Sequence, residues 1–101
     1  MKILIADDHD LLRDTLVMFL EGEGGIETAT AADLDGALIA IDSNDTFDLI
    51  ILDYSMPGMS GLNGLKKALA HNGEQRVALM SGIATRSIAE EALAYGAAGF
   101  I

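Results

Sequence analysis

Cysteine is absent from this chain of 101 residues, and no apolar run is long enough to span a bilayer. Without cysteine, the chain has neither a disulfide framework nor a thiolate metal site. Nothing resembles a signal peptide, and no repeat, low-complexity stretch or linker interrupts the sequence. Half of the residues are hydrophobic, which suits one compact domain over residues 1–101. A cytoplasmic protein that does not enter the membrane is expected.

Basic residues are also scarce, above all in the first half. Residues 1–53 hold 13 acidic side chains against Lys2 and Arg13, whereas residues 54–101 hold 3 acidic and 4 basic ones. The formal net charge of −10 repels nucleic acid and anionic membranes, so direct nucleic-acid binding by this chain is not expected. Divalent cations and basic partner surfaces are better candidates.

Short apolar runs alternate with amphipathic segments, which is the pattern of a parallel α/β sheet. The apolar runs predict five strands: Lys2–Ala6, Ile26–Thr30, Asp48–Asp53, Arg76–Ser81 and Ala98–Ile101. The third run is apolar on both faces, as a central parallel strand should be. Right-handed crossovers then give a doubly wound, five-stranded parallel sheet.

Amphipathic segments between the strands predict four helices, each with one buried face. The apolar stripes of the first three are Leu12, Leu16, Phe19 and Leu20, then Leu34, Ala37, Leu38 and Ile41, then Leu62, Leu65 and Leu69. The fourth helix is predicted over Thr85–Tyr95.

Polar residues gather where the predicted strands end. Asp7 and Asp8 follow the first strand, Asp53 ends the third and Ser81 ends the fourth. Because the carboxyl ends of parallel strands share one edge, these side chains should converge. Carboxylates about 5 Å apart repel by roughly 3 kcal/mol per pair at an effective dielectric of about 20, so a cation is expected among them. Oxygen ligands without sulfur favour Mg²⁺ or Mn²⁺ over zinc.

A metal at this edge would change the reactivity of Asp53. A carboxylate attacks phosphorus when a cation offsets the charge of the incoming phosphoryl group and holds it in line. The product would be an aspartyl phosphate. Ser81 could donate a hydrogen bond to a phosphoryl oxygen, and Gly82 would leave space for that group.

Four elements together resemble the receiver domain of two-component response regulators. These are the Asp7-Asp8 pair, Asp53 followed by "YSMPGMSG", Ser81 at the end of the fourth strand, and the final "YGAAGFI". The resemblance covers all 101 residues and implies a flavodoxin-like fold with strand order 2-1-3-4-5. The segments "GAAGF" and "MSGL" are most similar to receivers that are joined to a helix-turn-helix DNA-binding domain.

The resemblance implies a metal-dependent phospho-acceptor site. Asp53 would be the phospho-acceptor and, with Asp8, a direct ligand of Mg²⁺ or Mn²⁺. Asp7 would act on the metal largely through water, and the main-chain carbonyl of Ser55 would be a further ligand. The chain would promote its own phosphorylation and dephosphorylation and would not be an enzyme with a separate substrate.

The resemblance also implies a switch and its partners. Ser81 would be the switch hydroxyl, Phe100 the switch aromatic residue, and Gly82 and Tyr54 neighbours of the phosphoryl group. The phosphoryl donor would be a sensor histidine kinase, a phosphotransfer protein or a small phosphodonor. The fourth helix and fifth strand would alter a protein interface that controls an output, with transcription the expected one.

One departure from the family pattern concerns the end of the sequence. The family has a lysine just after the fifth strand and then a fifth helix, whereas this sequence ends at Ile101, before both. A receiver truncated there should expose apolar sheet surface beside the first helix and self-associate through that face or through the fourth helix. It should also phosphorylate poorly or switch incompletely.

Other functions stay open at this point. A flavin or nucleotide binder would need a Gly- or Ser/Thr-rich anion cradle after the first strand, where this sequence has acids. A hydrolase that uses an aspartyl phosphate would place a second acid two residues after the nucleophile, where this sequence has Ser55. A receiver-shaped interaction module that is never productively phosphorylated is disfavoured by the intact acids and favoured by the missing lysine.

The histidine next to the acidic pair has two interpretations. His9 could be a metal ligand, although a solvated residue in the first turn of a helix is the favoured interpretation. Asp8 and Asp10 could be helix N-cap residues. The pairing of Asp8 with Asp53 argues against that simpler role.

Overall fold

Strands and helices alternate along the chain. The computed structural model describes residues 1–43, 47–71, 76–81 and 86–100, without the side chains of Ser43 and Phe100. The strands are β1 (Lys2–Ala6), β2 (Glu27–Ala31), β3 (Leu49–Asp53), β4 (Arg76–Met80) and β5 (Gly99–Phe100). The helices are α1 (Asp10–Gly22), α2 (Leu34–Ser43), α3 (Asn63–His71) and α4 (Arg86–Ala94).

The strands form one parallel sheet in the order β2-β1-β3-β4-β5. This confirms the predicted parallel, doubly wound α/β architecture and the order of its first four strands. The fifth strand is confirmed only in part, because it pairs with β4 through two residues, Gly99 and Phe100. The prediction for this strand ran to Ile101, which lies outside the described residues.

Each face of the sheet has its own apolar core. On one face, Leu4, Ile50, Leu52 and Leu79 pack with residues of α2, α3 and α4. On the other face, side chains from β1 and β3 meet α1. Within the described ranges, no helix has the length and apolarity needed to cross a bilayer.

Helix α1 buries less of its apolar stripe than the sequence predicts. Leu16 and Leu20 pack against the sheet with Val17. Leu12 and Phe19, however, are 44% and 66% exposed, so their predicted place in the buried face is wrong. The exposure of these two side chains is a matter of tertiary packing. The described side chains that pack on this face of the sheet come from the strands and α1, and none of them covers the outer side of that helix.

Helix α3 begins in close contact with the turn before it. The Gly64 amide donates to the main-chain oxygen of Met59 at 2.7 Å. A Cβ on Gly64 would lie 2.3 Å from Met59 Sδ and 2.9 Å from Met59 Cα. Since the second contact is with backbone, a change of side-chain rotamer would not relieve it. Glycine is therefore required here by close packing.

We expect Gly64→Ala to lower the free energy of unfolding by about 1–3 kcal/mol, the usual cost of overpacking a core. For a domain of this size, each kcal/mol corresponds to about 4–8 °C in Tm. Thermal unfolding followed by circular dichroism measures the change. Gly22→Ala is the matched control, because a Cβ built there meets no described atom within 4 Å beyond its chain neighbours and the backbone of its own helix. A Gly64→Ala protein as stable as Gly22→Ala would contradict this account of the contact.

Candidate functional site

Three aspartates meet at the carboxyl edge of the sheet. Asp7 follows β1 and is fully buried, and Asp53 ends β3 and is 6% exposed. Asp8 is more open to solvent. Because β1 and β3 are paired neighbours, ligand atoms of all three carboxylates and of His9 lie within 4.8 Å of one another. The structure thus brings together acids that are 46 positions apart in the sequence.

The two oxygens of Asp7 have different surroundings. Oδ1 accepts a hydrogen bond from the His9 amide at 2.8 Å. Oδ2 is buried and has no hydrogen-bond partner within the part of the chain that the structure describes. An unsatisfied buried acceptor costs on the order of 1–3 kcal/mol. Oδ2 is therefore well suited to face a cation.

Asp53 is held in an orientation that leaves it open to the pocket. Its Oδ1 accepts a hydrogen bond from the Ser55 amide at 3.1 Å. Burial raises the pKa of the Asp53 carboxyl, the Ser55 hydrogen bond opposes that shift, and the charge of Asp7 raises the pKa further. Without a cation, the protein therefore disfavours ionisation of Asp53 beside Asp7. A bound cation would favour this ionisation.

The His9 ring lies among the carboxylates although much of its side chain is exposed. Its Nδ1 is 3.1 Å from Asp7 Oδ1, 3.2 Å from Asp8 Oδ1 and 3.8 Å from Asp53 Oδ2. The hydrogen bond with Asp7, followed by the charge of Asp8, raises the pKa of His9. His9 is thus largely solvated at the start of α1, as the sequence favoured, and its Nδ1 also contacts the carboxylates, which the sequence did not predict.

An open pocket of about 500 Å³ gives access to Asp53. Ser55 and Ser81 line this pocket together with Asp7, His9 and Asp53, and Leu11, Leu12 and Met80 supply apolar surface. A small anion in the pocket would reach the Asp53 carboxylate and lie near the Ser81 side chain. The structure thus places both predicted serines beside the predicted nucleophile.

The turn after β3 is held against α2. Gly58 has φ +93°, and a Cβ there would lie 2.9 Å from Leu34 Cβ. The Leu34 amide donates to the Pro57 carbonyl at 3.0 Å. Met56 and Met59 are buried in the core below. This packing carries the chain away from Asp53 while Ser55 stays exposed at the pocket.

For three other predicted residues, the structure does not show a position beside the Asp53 carboxylate. The Tyr54 side chain is partly buried and packs against the core shared with α2, α3 and α4, and its amide donates to the Met80 carbonyl at 2.9 Å. Gly82 lies outside the described residues, as does the side chain of Phe100. Their roles beside a phosphoryl group or in a switch stay predictions.

Arg13 is a residue of the site that the sequence analysis missed. Its Nη1 donates to the Asp7 main-chain carbonyl at 2.9 Å, and its Nη2 donates to Asp10 Oδ1 at 2.6 Å. The signal available in the sequence was a basic residue three positions after Asp10 in an otherwise acidic half. Arg13 ties α1 to the loop that carries the acids.

The donor set fits a divalent cation. Three carboxylates converge, one of their oxygens is buried with no partner among the described residues, and Asp7 and Asp8 raise the pKa of His9. Oxygen-rich sites of this kind suit Mg²⁺ and Mn²⁺.

Comparisons with known proteins agree on one family. The family model of the response regulator receiver domain matches residues 3–101. The glycerol metabolism activator of Pseudomonas putida is 42% identical over 101 residues, which cover 99% of this chain and 46% of that protein. The chain therefore spans about half the length of this relative.

Solved structures give the same result. The receiver domain of the Francisella response regulator 1452 has a TM-score of 0.87 at 30% identity, over 99% of this chain and 81% of that chain. CheY in the CheX-CheY-BeF3-Mg²⁺ complex of Borrelia burgdorferi has a TM-score of 0.87 at 30% identity, over 100% of this chain and 76% of that one.

Proposed function

This chain belongs to the response regulator receiver domain family, and we propose that it is a phosphorylation switch in which Asp53 accepts a phosphoryl group. The observation that carries the proposal is the buried Asp53 carboxylate, which opens into a pocket and lies beside Asp7 and Asp8. A lone buried acid would be a poor nucleophile, whereas one that shares a cation with two others is suited to attack phosphorus.

The metal site is the first part of the proposal. Asp8 and Asp53 would hold Mg²⁺ or Mn²⁺ directly, the Ser55 carbonyl would add a ligand, and Asp7 would act largely through water. Oδ2 of Asp7, which has no partner in the described part of the chain, supports this set, as does the Mg²⁺ named for the Borrelia complex. When bound, the ion offsets the negative charge of the phosphoryl oxygens.

The transfer itself is an in-line displacement at phosphorus. A carboxylate oxygen of Asp53 forms a bond to phosphorus as the bond from phosphorus to the donor breaks, and the electron pair leaves with the donor. The donor would be a phosphohistidine of a sensor kinase or phosphotransfer protein, or a small acyl phosphate. The Ser55 amide orients the carboxylate, and the Ser81 hydroxyl would donate to a phosphoryl oxygen.

The output would be a change in a protein interface. Ser81 at the end of β4 and Phe100 in β5 would couple the phosphoryl group to the surface of α4 and β5, with Tyr54 and Gly82 as its neighbours. Transcription is the proposed output because the Pseudomonas relative is named as an activator of glycerol metabolism. Contact with DNA would belong to another domain, since this chain carries a net charge of −10, and the switch would operate in the cytoplasm.

Incubation with acetyl phosphate tests the proposal. We expect the intact mass to increase by one phosphoryl group when Mg²⁺ is present, and peptide mapping to locate the group on Asp53. Chelation of the metal with EDTA should abolish the reaction. An unmodified chain in the presence of Mg²⁺ would favour the alternative, an interaction module that is not productively phosphorylated.

The sequence predicted self-association through the sheet face beside α1 or through the fourth helix. Because Ile3, Ile5 and Ile51 of that sheet face are buried, we propose instead that a second copy of this chain packs on the exposed face of α1. Leu12 and Phe19 lie about two helical turns apart on that face and are both exposed, and exposed apolar side chains promote association.

Light scattering at micromolar concentration should give a mass above that of one chain. Phe19→Glu should restore the monomer, and Ile39→Glu, at a residue of α2 with the same 66% exposure, should not. A monomeric wild type would refute this proposal.

A further inference from the structure

One ring nitrogen of His9 lies against the cluster of carboxylates, and we infer that His9 is a metal ligand that lets this site bind a borderline d-block cation such as Zn²⁺ in addition to Mg²⁺. The inference rests on the proposed cation site of Asp7, Asp8 and Asp53. It adds to that site a nitrogen ligand and a second class of metal.

Distances between the donor atoms support a shared coordination shell. Ligands bound at about 2.1 Å to one ion lie about 3.0 Å apart at an octahedral edge and about 3.4 Å apart at a tetrahedral one. His9 Nδ1 is 3.2 Å from Asp8 Oδ1 and 3.8 Å from Asp53 Oδ2, which belong to the two proposed direct ligands. The first distance fits an edge of such a shell before any ion is bound, and the second is slightly longer than an edge.

The orphaned oxygen of Asp7 is an independent observation. Asp7 is fully buried, and its Oδ2 has no hydrogen-bond partner among the residues that the structure describes. Its other oxygen is occupied by the His9 amide at 2.8 Å. The carboxylate is thus anchored on one side and left with an acceptor for a cation on the other.

The backbone holds the His9 ring near these acids. His9 is the N-cap residue of α1, with φ −91° and ψ 101°, and its side chain makes no capping hydrogen bond. The hydrogen bond from its amide to Asp7, together with that from Arg13 to the Asp7 carbonyl, fixes the loop. The imidazole is therefore positioned by the loop while its nitrogen is not used to cap the helix.

The type of ligand atom decides which metal ions bind more tightly. An imidazole nitrogen strengthens binding of Zn²⁺, Ni²⁺ and Co²⁺, whereas Mg²⁺ prefers oxygen ligands and retains several waters. If His9 is a ligand, its removal should weaken Zn²⁺ binding much more than Mg²⁺ binding. A role of His9 in folding of the loop alone would weaken both ions together.

Calorimetric titration with Zn²⁺ and with Mg²⁺ tests the inference. Both titrations are made at the same pH of about 8, where a free imidazole is neutral. We expect His9→Ala to weaken Zn²⁺ binding by about 10- to 100-fold and to change Mg²⁺ binding by less than about threefold. His71→Ala is the matched control, because His71 is the other histidine of the sequence and pairs with Asp42 on the surface. It should leave the affinity for both ions at this site unchanged.

A direct readout is the ¹⁵N shift of the imidazole nitrogens. Zn²⁺ should move the Nδ1 resonance of His9 much further than Mg²⁺ does, with the two histidines assigned from the two alanine variants. Equal Zn²⁺ affinity of wild type and His9→Ala, equal losses for both ions, or an unmoved His9 resonance would each overturn the inference.

Failure of the inference is distinguishable from failure of the proposed function. If the wild type binds Mg²⁺ and is labelled on Asp53, while its Zn²⁺ affinity does not depend on His9, only the inference fails. If neither ion binds the wild type, the cation site fails and the inference fails with it. Circular dichroism of each variant in EDTA establishes that it is folded before the titrations are compared.

Discussion

Replacing Asp53 by asparagine should reduce labelling by acetyl phosphate by more than about a thousandfold, to the background of the assay. The amide has nearly the same shape as the carboxylate and still accepts the hydrogen bond of the Ser55 amide. It lacks the negatively charged oxygen that attacks phosphorus. We therefore expect a folded protein that does not react, and the measurement is intact mass after incubation with acetyl phosphate and Mg²⁺.

Asp14→Asn is the matched control for this variant. Asp14 is an exposed carboxylate on α1 and should be irrelevant to the reaction, so its replacement should leave the rate of labelling unchanged. Labelling of Asp53→Asn at the wild-type rate would show that another residue is the phospho-acceptor. That result would remove the chemical basis of the proposed switch.

The second large effect is expected at Asp7, where asparagine should change metal binding and stability in opposite directions. Mg²⁺ affinity should fall by about 10- to 100-fold, the usual cost of losing a group around a metal. In EDTA, the variant should be more stable than the wild type by about 1–3 kcal/mol, because one of several repelling charges is gone. The amide oxygen can still accept from the His9 amide, as Asp7 Oδ1 does.

Calorimetry with Mg²⁺ and thermal unfolding in EDTA measure the two effects. A gain of 1 kcal/mol corresponds to about 4–8 °C in Tm for a domain of this size. Asp14→Asn again serves as the control and should change neither quantity. A variant of Asp7 that binds Mg²⁺ normally, or that is less stable than the wild type without metal, would show that the acids do not act as one cluster.

The strands and the position of the acids could be predicted from short-range patterns in the sequence, whereas the order of the strands was implied by the family resemblance. Short apolar runs define β1, β3 and β4 closely, and acids directly after two of these runs must reach one edge of a parallel sheet. The edge strand β2 was displaced by one residue, to Glu27–Ala31, because its alternating small and polar side chains mark its ends weakly.

Contacts between distant segments could not be predicted in the same way. The exposure of Phe19 depends on what covers α1, and the need for glycine at position 64 depends on Met59 Sδ and Cα, which only the folded turn brings close. The place of His9 among the acids depends on hydrogen bonds in the loop after β1, from the His9 amide to Asp7 and from Arg13 to the Asp7 carbonyl. Each of these features is set by tertiary packing, which a periodicity in the sequence does not encode.

The central claim is that Asp7, Asp8 and Asp53 share one cation. Titration of the ¹⁵N-labelled chain with Mg²⁺, followed by amide NMR, tests it most directly. The account predicts saturable shifts at a ratio of one ion per chain, largest for the amides of residues 7–9 and 53–55. Shifts spread over the acidic surface without saturation, or the absence of any shift at those six amides, would contradict it.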